Sequence, residues 1–301
     1  MNKSVADFLV TCLPRRRSPR RPKAGHPSLI IPLLLASAAI CFASEPDEPI
    51  AKAIQDNSFL VEEAYNQESG VVQHILNIPL AFKDDEKEVS FVFTQEWPVF
   101  SQQHQFSYTI PYSLVENGSS ENGFRDIRLN YRFQALFEND RVPAFAPRFS
   151  FVLPTGDAGK GFGHETLGYE VNLPFSKIIS DRWTVHFNAG ANFFPDVNDR
   201  DLDSYFLGGS AIYAVSENLN LMLESVAFWD ENVDERKRVD RAVTALISPG
   251  ARYAFNLPND AQLVVGVAMP IGITSDAPDY GVFFYCSFEH AFTRVPASTA
   301  K

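Results

Sequence analysis

From Gly70 to Phe292 apolar and polar residues alternate with a period of two over most of the chain. The clearest case is Ala146–Phe175. In its first limb Phe149, Phe151 and Leu153 oppose Arg148, Ser150 and Val152. In its second limb Leu167, Tyr169, Val171, Leu173 and Phe175 oppose Thr166, Gly168, Glu170 and Asn172. A Gly-rich stretch, Thr155–His164, lies between them. Successive side chains of a strand point to opposite faces, so this is the signature of a β-hairpin.

Equivalent segments recur along the chain. The fourth, Arg125–Phe137, sets Ile127, Leu129, Tyr131, Phe133 and Phe137 against Arg128, Asn130, Arg132 and Gln134. Val89–Trp97, Gln105–Ser113, Trp183–Phe193, Ser204–Val215, Leu219–Trp229, Gln262–Ile271 and Tyr280–Phe292 complete the regular set. Two are blurred. Val71–Phe82 has apolar residues in both phases and is interrupted by Pro79, and Arg241–Phe255 contains Pro249 and Gly250. Segments of about ten residues are what a tilted strand needs to cross a bilayer. The pattern predicts an all-β fold: a closed antiparallel transmembrane β-barrel of about 12 strands, apolar face outward. Alternate connections are expected to be longer and more polar: 83–88, 115–123, 155–164, 195–203, 230–240 and 274–279, against the short turns 216–218 and 256–260.

Aromatic content sharpens this. Phe, Tyr and Trp make up 13% of the chain and 26 residues are Phe. A soluble sandwich also alternates, but rings on one face of so many strands fit the aromatic girdles of a membrane barrel.

Charge separates a head from a body. Residues 1–43 carry Lys3, Arg15, Arg16, Arg17, Arg20, Arg21 and Lys23 against Asp7, while the whole chain has 26 Lys and Arg against 37 Asp and Glu. The body is therefore acidic, which argues against a nucleic-acid partner. The basic head runs into an uncharged stretch, Leu29–Ala43, shorter than the roughly 20 residues of a spanning helix. With small residues at Cys41 and Ala43, residues 1–43 read as a signal peptide cleaved after Ala43. Export to the outer membrane of a Gram-negative cell is the expected destination. Cys286 is then the single cysteine of the mature chain, so no internal disulfide forms. Residues 44–69 lack alternation and read as a lead-in or plug segment, 70–292 as the barrel and 293–301 as a tail.

Motifs for chemistry are incomplete. Gly156–Gly161 has two residues where a phosphate-cradling loop before Gly-Lys needs four. His164–Gly168 opens like a zincin helix but lacks the second histidine. Gly208–Ile212 is not a nucleophile elbow. Asp199, Asp201 and Asp203 lack the glycine and glutamate of a calcium loop. No enzyme activity, cofactor or metal is expected. A hydrolase built on His164 or His186 is the least favoured alternative. Glu96, Arg128, Arg132, Arg148, Glu170, His186, Glu224, Arg252 and Glu289 all fit the polar phase. Such charges are very costly against lipid, so they are expected to line the lumen, as a selectivity lining or as a packed ion-pair network.

The phrases NSFLVEEAYNQESGVVQH (57–74), FVLPTGDAGKGFGHETLGYEVNLPFSK (151–177) and GFRDIRLNYRF (123–133) resemble the outer-membrane transport proteins of the phenol meta-pathway degradation type. The resemblance spans roughly 57–292. It implies a barrel channel that passes small solutes, hydrophobic or aromatic ones among them. One departure is that Phe292 is followed by TRVPASTAK, so an aromatic assembly signal is not terminal. The expected partners are outer-membrane lipid and a small-molecule solute. A plugged structural or surface-binding barrel is the alternative.

Overall fold

The computed structural model describes residues 54, 56–234, 237–259 and 261–292. The expected signal peptide 1–43, residues 44–53 of the expected lead-in and the tail 293–301 lie outside the described residues. Twelve antiparallel strands follow in chain order. They are β1 (Val71–Lys83), β2 (Glu86–Val99), β3 (Ser101–Glu116) and β4 (Ser120–Phe124, continued by Ile127–Phe133). Next come β5 (Ala144–Phe145, continued by Arg148–Leu153), β6 (Gly168–Ile178), β7 (Trp183–Phe194) and β8 (Leu202–Ala214). The last are β9 (Leu219–Val233), β10 (Val239–Asn256), β11 (Gln262–Ala268, continued by Ile271–Gly272) and β12 (Tyr280–Ala291). Each strand pairs with the next, and β1 pairs with β12 from Val71↔Ala291 to Phe82↔Tyr280. The barrel is closed, so no strand edge is left unpaired, as a bilayer requires.

Strand phase follows the sequence pattern. Phe149, Phe151, Tyr131, Leu173, Phe187, Tyr205, Leu221, Leu223 and Trp229 are exposed on the outer wall, while their neighbours Arg148, Ser150, Arg132, Asn172, His186, Ser204, Asn220 and Glu224 are buried inside. Rings pair across strands on the outer wall, as at Trp97–Phe106 and Trp183–Tyr213.

The connections depart from expectation. Strands extend further than alternation suggested, so 83–88 shrinks to the turn Asp84–Asp85, and 115–123 to 117–119 with Gly118 at φ +65. Phe137 lies beyond the end of β4, in the connection 134–143. The rim carrying 154–167, 195–201 and 273–279, called the far rim here, is the more elaborated end. The chain enters β1 at the opposite, near rim.

Both blurred strands have a physical explanation. Some of their inward positions are apolar because they touch the segment before β1, which lies inside the barrel. Ile75 of β1 and Leu246 and Ala254 of β10 join Phe59, Leu60, Val61, Ile212, Met222, Val226, Val264, Phe283 and Tyr285 in one buried cluster. That half of the lumen wall, β8–β12 and β1, therefore meets the segment with apolar side chains, interspersed with the polar groups of Gln73, Ser210, Glu224, Arg252 and Ser287. The other half, β2–β7, presents charge, amide and hydroxyl groups.

Candidate functional site

The segment Asp56–Gln67 crosses the near half of the lumen without pairing as a strand. Wall side chains take the place of strand partners, satisfying backbone groups that would otherwise be buried unbonded. The Glu224 carboxylate accepts from three successive amides, Phe59 (3.3 Å), Leu60 (2.9 Å) and Val61 (3.2 Å). Asn188 pairs in both directions with Glu62, its Oδ1 accepting from the amide and its Nδ2 donating to the carbonyl, each at 2.8 Å. Ser176 Oγ accepts from the Ala64 amide at 2.7 Å and lies 2.6 Å from His186 Nδ1. Gln134 and Gln105 accept from the amides of Asn66 and Gln67. Arg132 donates to the carbonyls of Glu63 and Tyr65 and to Asn66 Oδ1, and Arg252 to the carbonyls of Ile54, Asp56 and Asn57.

Side chains of the segment are anchored as well. The Asp56 carboxylate accepts from Tyr285 (2.5 Å), Ser287 (2.7 Å) and Gln73 (2.7 Å). Tyr65 donates to Glu138. Phe59 is fully buried against Phe283 and Tyr285, with ring centroids 5.6 and 5.4 Å away. Its ring sits over two inward glycines. A Cβ on Gly250 would lie 2.8 Å, and one on Gly266 2.5 Å, from a ring carbon. Burial, with repulsion from Asp56 added, pushes the Glu63 carboxyl up to about 8, against the attraction of Arg132 and Arg252.

On the far side of the segment the lumen holds two adjoining spaces. Glu62, Arg128, Arg148 and Glu170 border both. These charges are paired across strands: Arg148 with Glu170 (2.5 Å) and Glu62 (2.9 Å), and Arg128 with Glu170 (3.5 Å). Arg132 and Glu96 lie 3.8 Å apart. Opposite them stand Leu60, Val61, Phe206, Val226 and Phe228. The lumen is thus charged on one wall and apolar on the other.

The nine residues read as lumen-facing divide into three groups. Glu96, Arg128, Arg148 and Glu170 border the open space. Arg132, Glu224 and Arg252 hold the segment directly, and His186 does so through Ser176. Glu289 sits half-exposed at the near rim, opposite Gln73 and Gln262. Sequence reasoning did not single out Gln105, Gln134, Ser176 or Asn188. Their signal was an amide or hydroxyl in the inward phase, but inward polar residues are common enough that none stood out.

The far rim holds the Gly-rich loop. It is a folded loop, not a loose surface stretch. The Asp126 carboxylate accepts from the amides of Gly156 and His164, both at 2.9 Å, and lies 2.8 Å from His164 Nδ1. His164 stacks on Phe194 at 3.7 Å, and Phe162 packs under the Arg125 guanidinium, which pairs with Glu88 at 2.5 Å. Asp126 is the partner of His164 that the sequence could not supply, and the arrangement pins a loop across residues distant in sequence. Among the described residues no three metal-binding side chains cluster.

A closed barrel with lipid-type girdles outside and charge inside defines the class: a transmembrane β-barrel of the outer-membrane kind. Residues 76–287 match the sequence pattern of the family described as "Putative MetA-pathway of phenol degradation", and the chain belongs to that family. No curated protein sequence matches it. In structure it is similar to an outer membrane channel from Pseudomonas putida F1, with a TM-score of 0.58 and 14% identity, covering 76% of this chain and 98% of that one. A second similar structure is the KdgM porin in complex with disordered oligogalacturonate, with a TM-score of 0.40 and 10% identity, covering 74% and 99%.

Proposed function

We propose that this chain is an outer-membrane channel for small solutes, hydrophobic or aromatic ones among them, with the segment Asp56–Gln67 seated in the lumen as a removable obstruction. It performs no chemistry of its own. One observation carries the reading: beyond the segment, a charged wall and an apolar wall enclose open space. A barrel filled only for stability would have no reason to keep such a space between two contrasting walls. The outward aromatic face and the closed ladder support the outer membrane as its site. The test is reconstitution into liposomes. The intact chain should pass small apolar solutes slowly and a chain lacking residues 54–69 rapidly. No permeation by either form sinks the proposal.

The dense bonding of the segment favours a second reading, a permanently plugged barrel that serves as a structural or surface-binding element. On that reading the segment never leaves. A disulfide engineered between the segment and the wall would then alter no phenotype, whereas a channel locked in this way would lose permeation.

A further inference from the structure

We infer that the luminal space bordered by Phe206, Val226 and Phe228 is a binding site for neutral molecules that combine an apolar body with an O–H or N–H donor. This deepens the channel reading and rests on it for its biological meaning. The apolar body is matched by Phe206, Val226, Phe228 and Leu60. Phe206 is placed there by its neighbour: a Cβ on Gly190 would lie 2.1 Å from its ring, so the glycine leaves the room that the ring occupies. In the ladder Gly190 pairs with Asn172 and lies two residues from Asn192, so the ring is flanked by two asparagines.

Those asparagines specify the polar end. Asn172 and Asn192 are 2% and 4% exposed, both border the space, and neither Oδ1 accepts a hydrogen bond among the described residues. The orientation of Asn172 is fixed, because its Nδ2 donates to Glu62 Oε2 at 3.1 Å. Its carbonyl oxygen is therefore an acceptor looking for a donor. A buried acceptor left unbonded is costly, and a ligand hydroxyl relieves that cost.

Charge excludes the obvious competitor. Two arginines border the space and suggest an anion site. Arg148, however, is bonded to Glu170 and Glu62, and Arg128 lies beside Glu170. An anionic ligand would have to displace a carboxylate from its arginine and leave that carboxylate buried without its partner. Neutral donors face no such barrier. Two buried acceptors bordering the same space beside an aromatic side chain match the construction of a small-molecule site, with a few polar groups fixing orientation in an apolar cleft.

The test is binding to the detergent-extracted full chain, followed by calorimetry or ligand-observed NMR, with three probes of similar size. These are benzyl alcohol (neutral, donor), benzyl methyl ether (neutral, no donor) and benzoate (anion). Benzyl alcohol should bind roughly fivefold more tightly than the ether, the size of one neutral hydrogen bond, and benzoate more weakly than either. Asn192→Leu should bring benzyl alcohol down to the affinity of the ether and leave the ether unchanged. Heat-modifiable gel migration reports whether the variant is folded, and the three-probe comparison on the unaltered chain stands without it. Equal binding of alcohol and ether, tightest binding of benzoate, or no binding by any probe would each overturn the inference. Liposome permeation is read separately. Permeation without the predicted ranking removes this site and leaves the channel standing, and the ranking without permeation does the reverse.

Discussion

Phe59→Ala is the perturbation that best separates a removable segment from a fixed one. The ring is fully buried, lies over Gly250 and Gly266, and packs against Phe283 and Tyr285. Truncating such a ring costs about 3–5 kcal/mol, from lost transfer energy and the cavity left behind. The barrel wall does not depend on it, since the strand ladders close without the segment. The cost therefore falls on seating and raises the released population roughly 10²- to 10³-fold. A glutamate-specific protease added to the folded barrel reads this out at Glu62 and Glu63. When opening is fast relative to cleavage, the cleavage rate follows the open population, even if the segment stays mostly seated. The same ring can be attacked from the wall. Gly266→Ala puts a Cβ 2.5 Å from the ring and forces it to move, so it too should speed cleavage. With alanine at position 59 there is nothing left to clash, and the double variant should show much less than the sum of the two effects. An unchanged cleavage rate in Phe59→Ala, or simple additivity in the double variant, would refute the argument.

Three further outcomes are expected. Seating should weaken as pH rises from about 4.5 to about 8. The Glu63 carboxyl is neutral in both states below this window, and within it ionises only when released, so the stability is full at low pH and lost through the seated value. Permeation should therefore increase across this window, and Glu63→Gln should flatten the profile; an unaltered profile in the variant counts against this cause. Arg148→Ala leaves Glu62 and Glu170 buried without their main partner and should destabilise the barrel by about 3–5 kcal/mol, toward the lower end because Arg128 remains 3.5 Å from Glu170; the temperature at which the folded gel band is lost measures it. Asp126→Ala removes the acceptor of two amides and the partner of His164, so the loop 154–167 should become cleavable from outside while the folded gel band persists.

Strand number, phase and closure were legible because each strand touches two different solvents. Residues such as Leu129, Tyr131 and Phe151 meet lipid while Arg128, Arg132 and Arg148 meet the lumen, and a period of two is the unavoidable result. The same logic failed where the inner environment changes. Ile75, Leu246 and Gly250 point inward yet are apolar or small, because what they face is Phe59 and its neighbours. The lapse in alternation was itself the trace of the segment, but it reads as noise until the segment is placed. The Asp126–His164 pairing was hidden for another reason. It spans 38 residues and depends on Gly156 and Gly163 closing tightly, where a Cβ would meet backbone at 2.0 and 2.5 Å. No local pattern encodes such a closure.

The way the segment is held bears on whether it can leave. A plug that paired as a thirteenth strand would share the ladder's cooperativity, and removing it would open the barrel. Here, among the described residues, every backbone bond from the wall to Asp56–Gln67 comes from a side chain: Glu224, Asn188, Ser176, Gln134, Gln102, Gln105, Arg132 and Arg252. Apart from Gln134, in the connection that follows β4, these groups belong to strands paired in the closed ladder. On release each can turn to water or to a solute in the lumen, so the net loss per bond is the modest one of an exchange and not that of an orphaned ladder. The wall therefore pays no structural penalty for an empty seat. Of the two acceptors beside Phe206, Asn172 lies against Glu62, itself a bonded part of the segment. A solute that donates to Asn172 Oδ1 leaves the Nδ2–Glu62 bond in place, so the seated segment holds the acceptor in position, and occupancy of the space and seating of the segment are coupled through a shared neighbour.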